Sequence, residues 1–211
     1  QDTSSAASDV YKRQDIVLNE LDALFNIDFK TRQLKEEITQ LEFIRLGTSG
    51  SMQPDLEVDD ILISEYAIGL DNLLHYYAYK PDEDSLNMTL KFEAFFHEMV
   101  DLLVTPYIFP ADWALLEKVG TDMKRGITVT CPGFYAPQGR QLRAKSAINE
   151  AFIEQASQFK MNDLKLTNFE METAALYGLG KLLGHRCCSL SVIIANRASN
   201  QFSDEVQKSV D

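Results

Sequence analysis

Cysteine, histidine and tryptophan are scarce in this chain: three, three and one among 211 residues. Cys131, Cys187 and Cys188 form no Cys-x-x-Cys pair and no spacing of a metal site, so free thiols in a reducing compartment are the default. The adjacent Cys187 and Cys188 read as small apolar packing in a strand. His75, His97 and His185 are scattered along the chain, each a satisfied or solvent histidine rather than a metal ligand. Long apolar runs are missing as well. The longest, Ser189 to Ala195, falls far short of the ~20 residues a membrane helix needs and fits a buried strand. Positive charge is in deficit, 20 Lys and Arg against 32 Asp and Glu, for a net charge of -12. Such a surface repels nucleic acid and anionic membrane, and a small anionic substrate would need a local positive pocket. No repeat, low-complexity tract or domain linker divides the chain, and the polar stretch Lys80 to Asn87 reads as a surface loop. What is present is 45% apolar content, enough at this length for one buried core.

Residues Ser4 to Gln14, Ser-Ser-Ala-Ala-Ser-Asp-Val-Tyr-Lys-Arg-Gln, resemble the in-frame translation of a sequencing adapter used with transposase fragmentation. Residues 1–14 are therefore set aside as a non-native leader, with the natural domain expected over 15–211. From Asp15 onward helical and strand patterns alternate. Ile16, Val17, Leu18, Leu21, Leu24 and Phe25 share a helical face that Asp28-Phe29-Lys30 ends. Phe43 to Leu46, Ile61 to Ile68, Ile127 to Cys131 and Leu190 to Ala195 read as strands, the last buried on both faces. Helices are expected over Thr89 to Val104, within Gln141 to Phe159, and from Glu170 to Leu183 with Gly184 closing the last. Strands separated by helices imply an α/β domain with a mostly parallel or mixed sheet.

Three short stretches carry the chemistry. In Arg45-Leu46-Gly47-Thr48-Ser49-Gly50, Gly47 to Gly50 sit at the carboxyl end of a strand, where loops of open α/β sheets collect ligands; Arg45 can grip an oxyanion through two parallel bonds, Thr48 adds a hydroxyl, and the glycines allow close backbone approach. By itself the hexapeptide also fits a tight turn with a solvent arginine. Phe134-Tyr135-Ala136-Pro137-Gln138-Gly139-Arg140 is too polar to extend its strand. Gln138 offers a donor and an acceptor and Arg140 donors only, which suits an imide N–H between carbonyls, with Phe134 able to stack on the ring. An aromatic-anchored surface loop explains it equally. In Asn168-Phe169-Glu170-Met171-Glu172, the spacing from Thr167 to Glu170 is that of a capping box, and acids near a helix start are favourable without any ligand. Glu172 is not needed for the box and can accept sugar hydroxyls, while Met171 covers the apolar sugar face.

In this order and at these spacings the stretches resemble the nucleoside phosphorylase family, and within it most closely the uridine phosphorylases, over a span from Asp15 to the end. The resemblance implies an α/β fold with a mixed central sheet flanked by helices. It implies phosphate binding by Arg45 and Thr48, base binding by Ser49, Gly50, Phe134, Gln138, Arg140, Ile194, Ala195 and Arg197, and ribose binding by Thr48, Glu170, Met171 and Glu172. Purine-specific members place an aspartate where this chain has Asn196, which cannot act as that acid, so a pyrimidine is favoured. The implied activity is reversible phosphorolysis of uridine by a cytoplasmic homo-oligomer, a dimer or hexamer, with phosphate as co-substrate and no metal or other cofactor. Neither nucleic acid nor membrane is an expected partner.

The same resemblance implies absences. The family's N-terminal strands, with a Gly-Asp-Pro-type loop that completes the phosphate site, would precede Asp15, and its C-terminal helix would follow Asp211. Alternative expectations are thus a truncated fragment that at most binds nucleosides weakly and aggregates through sheet edges, or a purine nucleoside phosphorylase or a water-using nucleosidase of the same fold.

Overall fold

The computed structural model describes residues 10–97, 104–148 and 150–203. Among these, helix α1 (Val10–Asn26) leads through a small hairpin, β1 (Ile27–Asp28) with β2 (Gln33–Leu34), into the central strands β3 (Glu42–Ser51) and β4 (Ile61–Gly69). Helix α2 (Glu83–His97), β5 (Tyr107–Pro110), α3 (Trp113–Val119) and β6 (Lys124–Thr130) follow. Then come α4 (Glu150–Gln158), β7 (Lys160–Met161), β8 (Leu164–Glu170), α5 (Thr173–Leu183), β9 (Arg186–Asn196) and β10 (Gln201–Phe202). The expected α/β class and mixed central sheet are both present. Among the described residues the sheet has 8 strands in the order β10-β9-β3-β8-β6-β4-β5, with β7 beside β8 and a further pairing between β4 and β9. That pairing joins β9, β3, β8, β6 and β4 into a closed ring. β3 with β9, β4 with β6 and β6 with β8 run parallel; β3 with β8 and β4 with β9 run antiparallel.

Alternation along the strands builds a core on each face of this sheet. Ile68, Ile108, Ile127, Val129, Leu166 and Phe169 meet Phe92, Phe96, Phe152 and Phe159 on one side. Ala67, Tyr107 and Phe109 meet Leu18, Ala174, Leu176, Tyr177 and Leu179 on the other. Among the described residues no helix is long and apolar enough to cross a membrane.

Several boundaries depart from the sequence expectations. The stretch Lys80 to Asn87 is not wholly a loop, because α2 starts at Glu83 and Asp82 caps it, accepting from the Ser85 N–H at 2.9 Å. The continuation of that helix through Met99, Val100 and Leu103 lies outside the described residues. Gly47 to Gly50 form no loop: they continue β3, held by β9 in parallel register with one irregularity between Ser49 and Gly50. Glu170 belongs to the end of β8 rather than to α5, and Thr167 is a strand residue, so the capping box does not form. Gly184 does close α5, its φ of 79° taking the left-handed position that ends the helix. Strands β5 and β8 and helix α3 were not legible beforehand.

The topology gathers one end of the sheet. β3 and β8 approach head to head and overlap only at Gly50 with Phe169 and Ser51 with Asn168. Their carboxyl ends therefore meet, and those of β6 and β9 lie alongside. Among the described residues, β3 before Gly50 has β9 as its strand partner on one edge alone, and Ile44 and Leu46 are exposed.

Candidate functional site

A cavity of about 610 Å³ opens where these four strand ends converge. Arg45, Thr48, Ser49 and Gly50 line it from β3, Phe134, Gln138 and Arg140 from the loop after β6, Glu170, Met171 and Glu172 from the β8–α5 junction, and Ile194 and Ala195 from β9. Every residue given a binding role from the sequence is thus brought to this cavity except Arg197. Arg197 lies in an adjoining hollow of about 670 Å³, which Arg140 and Ala195 also line, and donates to the backbone oxygen of Gln138. Gln14, set aside from the sequence as non-native, also reaches the cavity wall.

Arg45 is held by the protein itself. Its Nη2 pairs with Glu172 and lies 3.3 Å from Glu170 Oε2, while Nη1 donates to Ser189 Oγ at 3.3 Å and Ser191 Oγ at 3.2 Å. The guanidinium folds back across its own strand, where a Cβ on Gly47 would stand 2.6 Å from its Cζ. The glycine of this motif therefore makes room for an arginine. Burial alone would lower the Arg45 pKa, but the adjacent Glu170 and Glu172 carboxylates outweigh it and raise the value, so the cation is fixed.

The two glutamates differ in situation. Glu170 Oε1 accepts from Thr130 Oγ1 at 2.5 Å, and Oε2 accepts from the N–H groups of Glu172 and Thr173 at 2.8 Å each and from Thr173 Oγ1 at 2.9 Å. It caps α5 from the preceding strand, a role close in kind to the ligand-free alternative in the sequence, though without Thr167. Glu172 has Arg45 as its side-chain partner and faces the cavity. Burial, then the charge of Glu170, push its carboxyl up to about 7 against the pull of Arg45.

At the other end, Arg140 Nη1 donates to Gln138 Oε1 at 2.5 Å and to the Phe134 carbonyl at 2.8 Å, and its Cζ sits 4.0 Å over the Phe134 ring. Gly139, at φ 68°, makes the turn that folds Arg140 back onto Gln138. Burial first, and the charge of Arg197 second, lower the Arg140 pKa to about 10. Asn196 lies outside the cavity. Its Nδ2 donates to the carbonyls of Gln53 and Leu56, and its Oδ1 accepts from the N–H groups of Ala198 and Ser199. It braces the turn after β9.

Sequence reasoning missed the hydroxyls behind the site, those of Thr130, Thr173, Ser189 and Ser191. A signal existed for the last two: Ser189 and Ser191 alternate on one face of an otherwise apolar strand, which places both beside one neighbour. Among the described residues no group of His, Cys, Asp and Glu could hold a metal ion. The cavity therefore offers a fixed guanidinium beside an exchangeable carboxylate at one end, and an amide backed by a second guanidinium and an aromatic face at the other.

A family model described as the phosphorylase superfamily matches residues 28–211. The uridine phosphorylase of Thermococcus kodakarensis is 30% identical over 168 residues, 79% of this chain and 52% of that protein. That of Haemophilus influenzae is 27% identical over 173 residues, 81% of this chain and 61% of that one. The chain thus spans between half and two thirds of these relatives' length. Among solved structures, the Trypanosoma brucei nucleoside phosphorylase that shows uridine phosphorylase activity matches with a TM-score of 0.74 at 21% identity, covering 94% of this chain and 73% of that one. At that identity the likeness is one of fold.

Proposed function

The chain belongs to the phosphorylase superfamily, and from that premise we propose that it serves reversible phosphorolysis of a pyrimidine nucleoside, uridine plus phosphate giving uracil and ribose 1-phosphate. The observation that carries this reading is the convergence of three separated sequence stretches on one cavity, with a guanidinium beside two carboxylates at one end and an amide beside a second guanidinium at the other. Arg45 and Thr48 receive phosphate. Glu172 accepts ribose hydroxyls and steadies positive charge at the anomeric carbon, and Met171 covers the sugar. Glu170 acts one step back, orienting Arg45. By analogy with other glycosidic bond cleavages, the C–N bond breaks towards an oxocarbenium-like state. Phosphate then closes on the cation from the Arg45 side, so the arginine contributes by placing the nucleophile.

Negative charge accumulates on the departing uracil. Gln138 Oε1 is engaged by Arg140, so the amide NH2 of Gln138 and the remaining N–H groups of Arg140 are the donors that meet it. Phe134 stacks on the base, Ser49, Gly50, Ile194 and Ala195 shape its pocket, and Arg197 supports it from behind. Asn196 supplies no acid for a purine leaving group. Phosphate is the co-substrate, and no other cofactor is called for. The setting is cytoplasmic nucleoside salvage, and the exposed Ile44, Leu46 and Trp113 support assembly into a homo-oligomer.

Uracil release from uridine, followed with and without phosphate, tests the reading. Phosphate-dependent release is expected, weakened about tenfold or more in kcat/KM by Gln138→Ala. Release without phosphate would make the reaction a hydrolysis, and inosine cleaved as well as uridine would overturn the pyrimidine assignment.

A further inference from the structure

Two serines point into the interior from β9 directly behind Arg45. Ser189 and Ser191 are 0% and 1% exposed, and a buried hydroxyl is unfavourable unless something bonds it. What they meet is the guanidinium, through Nη1 at 3.3 and 3.2 Å. Ser189 Oγ also lies 2.9 Å from Thr173 Oγ1, which donates its own proton to Glu170 Oε2. Since that proton is spent on the carboxylate, Ser189 must donate to Thr173 and accept from Arg45. The bonds therefore run one way, from guanidinium through two hydroxyls to Glu170.

The two edges of the guanidinium thus have different chemistry. Its Nη1 edge rests on neutral hydroxyls inside the fold, and its Nη2 edge on two carboxylates that line the cavity, of which Glu170 is already held by Thr130, Thr173 and two backbone N–H groups while Glu172 pairs with Arg45. An incoming oxyanion competes with Glu172 for Nη2, because both are anionic acceptors of the same donors. It does not compete with the serines, which carry no charge and lie behind the cation.

We propose that Ser189 and Ser191 are positioning residues for the oxyanion: they anchor Arg45 by its inner edge, so that phosphate can displace Glu172 without the guanidinium losing its place. This deepens the phosphorolysis reading and rests on it. Without the serines, the guanidinium is tied only to the carboxylates, and the exchange that admits phosphate also releases it.

The test is binding of inorganic phosphate by titration calorimetry to the full chain, to Ser191→Ala and to the Ser189→Ala/Ser191→Ala double variant. Uracil binding and the phosphate KM are measured in parallel. The phosphate Kd and KM are expected to rise about three- to tenfold in Ser191→Ala and further in the double variant, with uracil affinity and kcat at saturating phosphate little changed. That split separates positioning from general damage, which would move uracil binding as well. Ser191→Ala decides alone if the double variant fails to fold, since Ser189 also serves Thr173. Phosphate binding by the parent with equal affinity in Ser191→Ala overturns this proposal and leaves the phosphorolysis reading standing. Absence of phosphate binding by the parent overturns both.

Discussion

Replacing Arg45 with methionine keeps much of the side chain's bulk and removes the cation that sits between Glu170 and Glu172. With Arg45 present, burial and the charge of Glu170 already raise Glu172 from an ordinary 4.5 to about 7. Ionising it in the folded chain therefore costs about 3 kcal/mol relative to the unfolded chain. The sign follows from linkage: a folded-state pKa above the unfolded one means stability that is full below about 4.5 and is lost as pH rises towards 7. Without the guanidinium the Glu172 pKa climbs further. Parent and variant then lose stability together up to about pH 7, where Glu172 still takes up a proton on folding in both. Above pH 7 the parent levels off while the variant continues to fall, by about 1.4 kcal/mol per pH unit until its own pKa is passed. Urea denaturation at pH 6, 7, 8 and 9 should show a constant offset of about 1 kcal/mol at the acid end, from lost packing and hydrogen bonds. By pH 9 the difference should have grown to about 3 kcal/mol. An offset that stays constant through pH 9 would refute the inference that Arg45 compensates buried negative charge.

Asn196→Asp should not confer purine use, because Asn196 lies outside the cavity. It should instead destabilise the chain by about 2–3 kcal/mol at neutral pH, where a carboxylate oxygen would face the Gln53 and Leu56 carbonyls that Nδ2 now bonds; thermal melts with an inosine assay check both. Gly126→Ala would bring a Cβ within 2.2 Å of Thr167 Cγ2 across the β6–β8 ladder. A loss of about 2 kcal/mol or more in chemical denaturation is expected, and an unchanged midpoint would show that the two strands part freely.

Local chemistry fixed a good deal of this protein before any folding was considered. The apolar periods marked β4, β6, β9 and the body of α5, since alternation and helical spacing are properties of consecutive residues. The three motifs held most of the residues that line the cavity, because hydrogen-bonding side chains and glycines at strand ends stand out from the apolar periods around them. Tertiary structure decided the rest. Whether Gly47 to Gly50 turn or extend depended on β9 lying alongside to bond them, and β9 comes more than a hundred residues later. Which of Glu170 and Glu172 is already engaged by protein donors depended on where β8 ends and α5 begins, and the hydroxyls of Thr130 and Thr173 go to Glu170. The partners of Arg45 arrive from β8, the β8–α5 junction and β9, so the charge balance of the site could not be read from its own strand. Sequence determined which groups were available; the closure of the sheet determined which of them were already spent on one another and which still face the cavity.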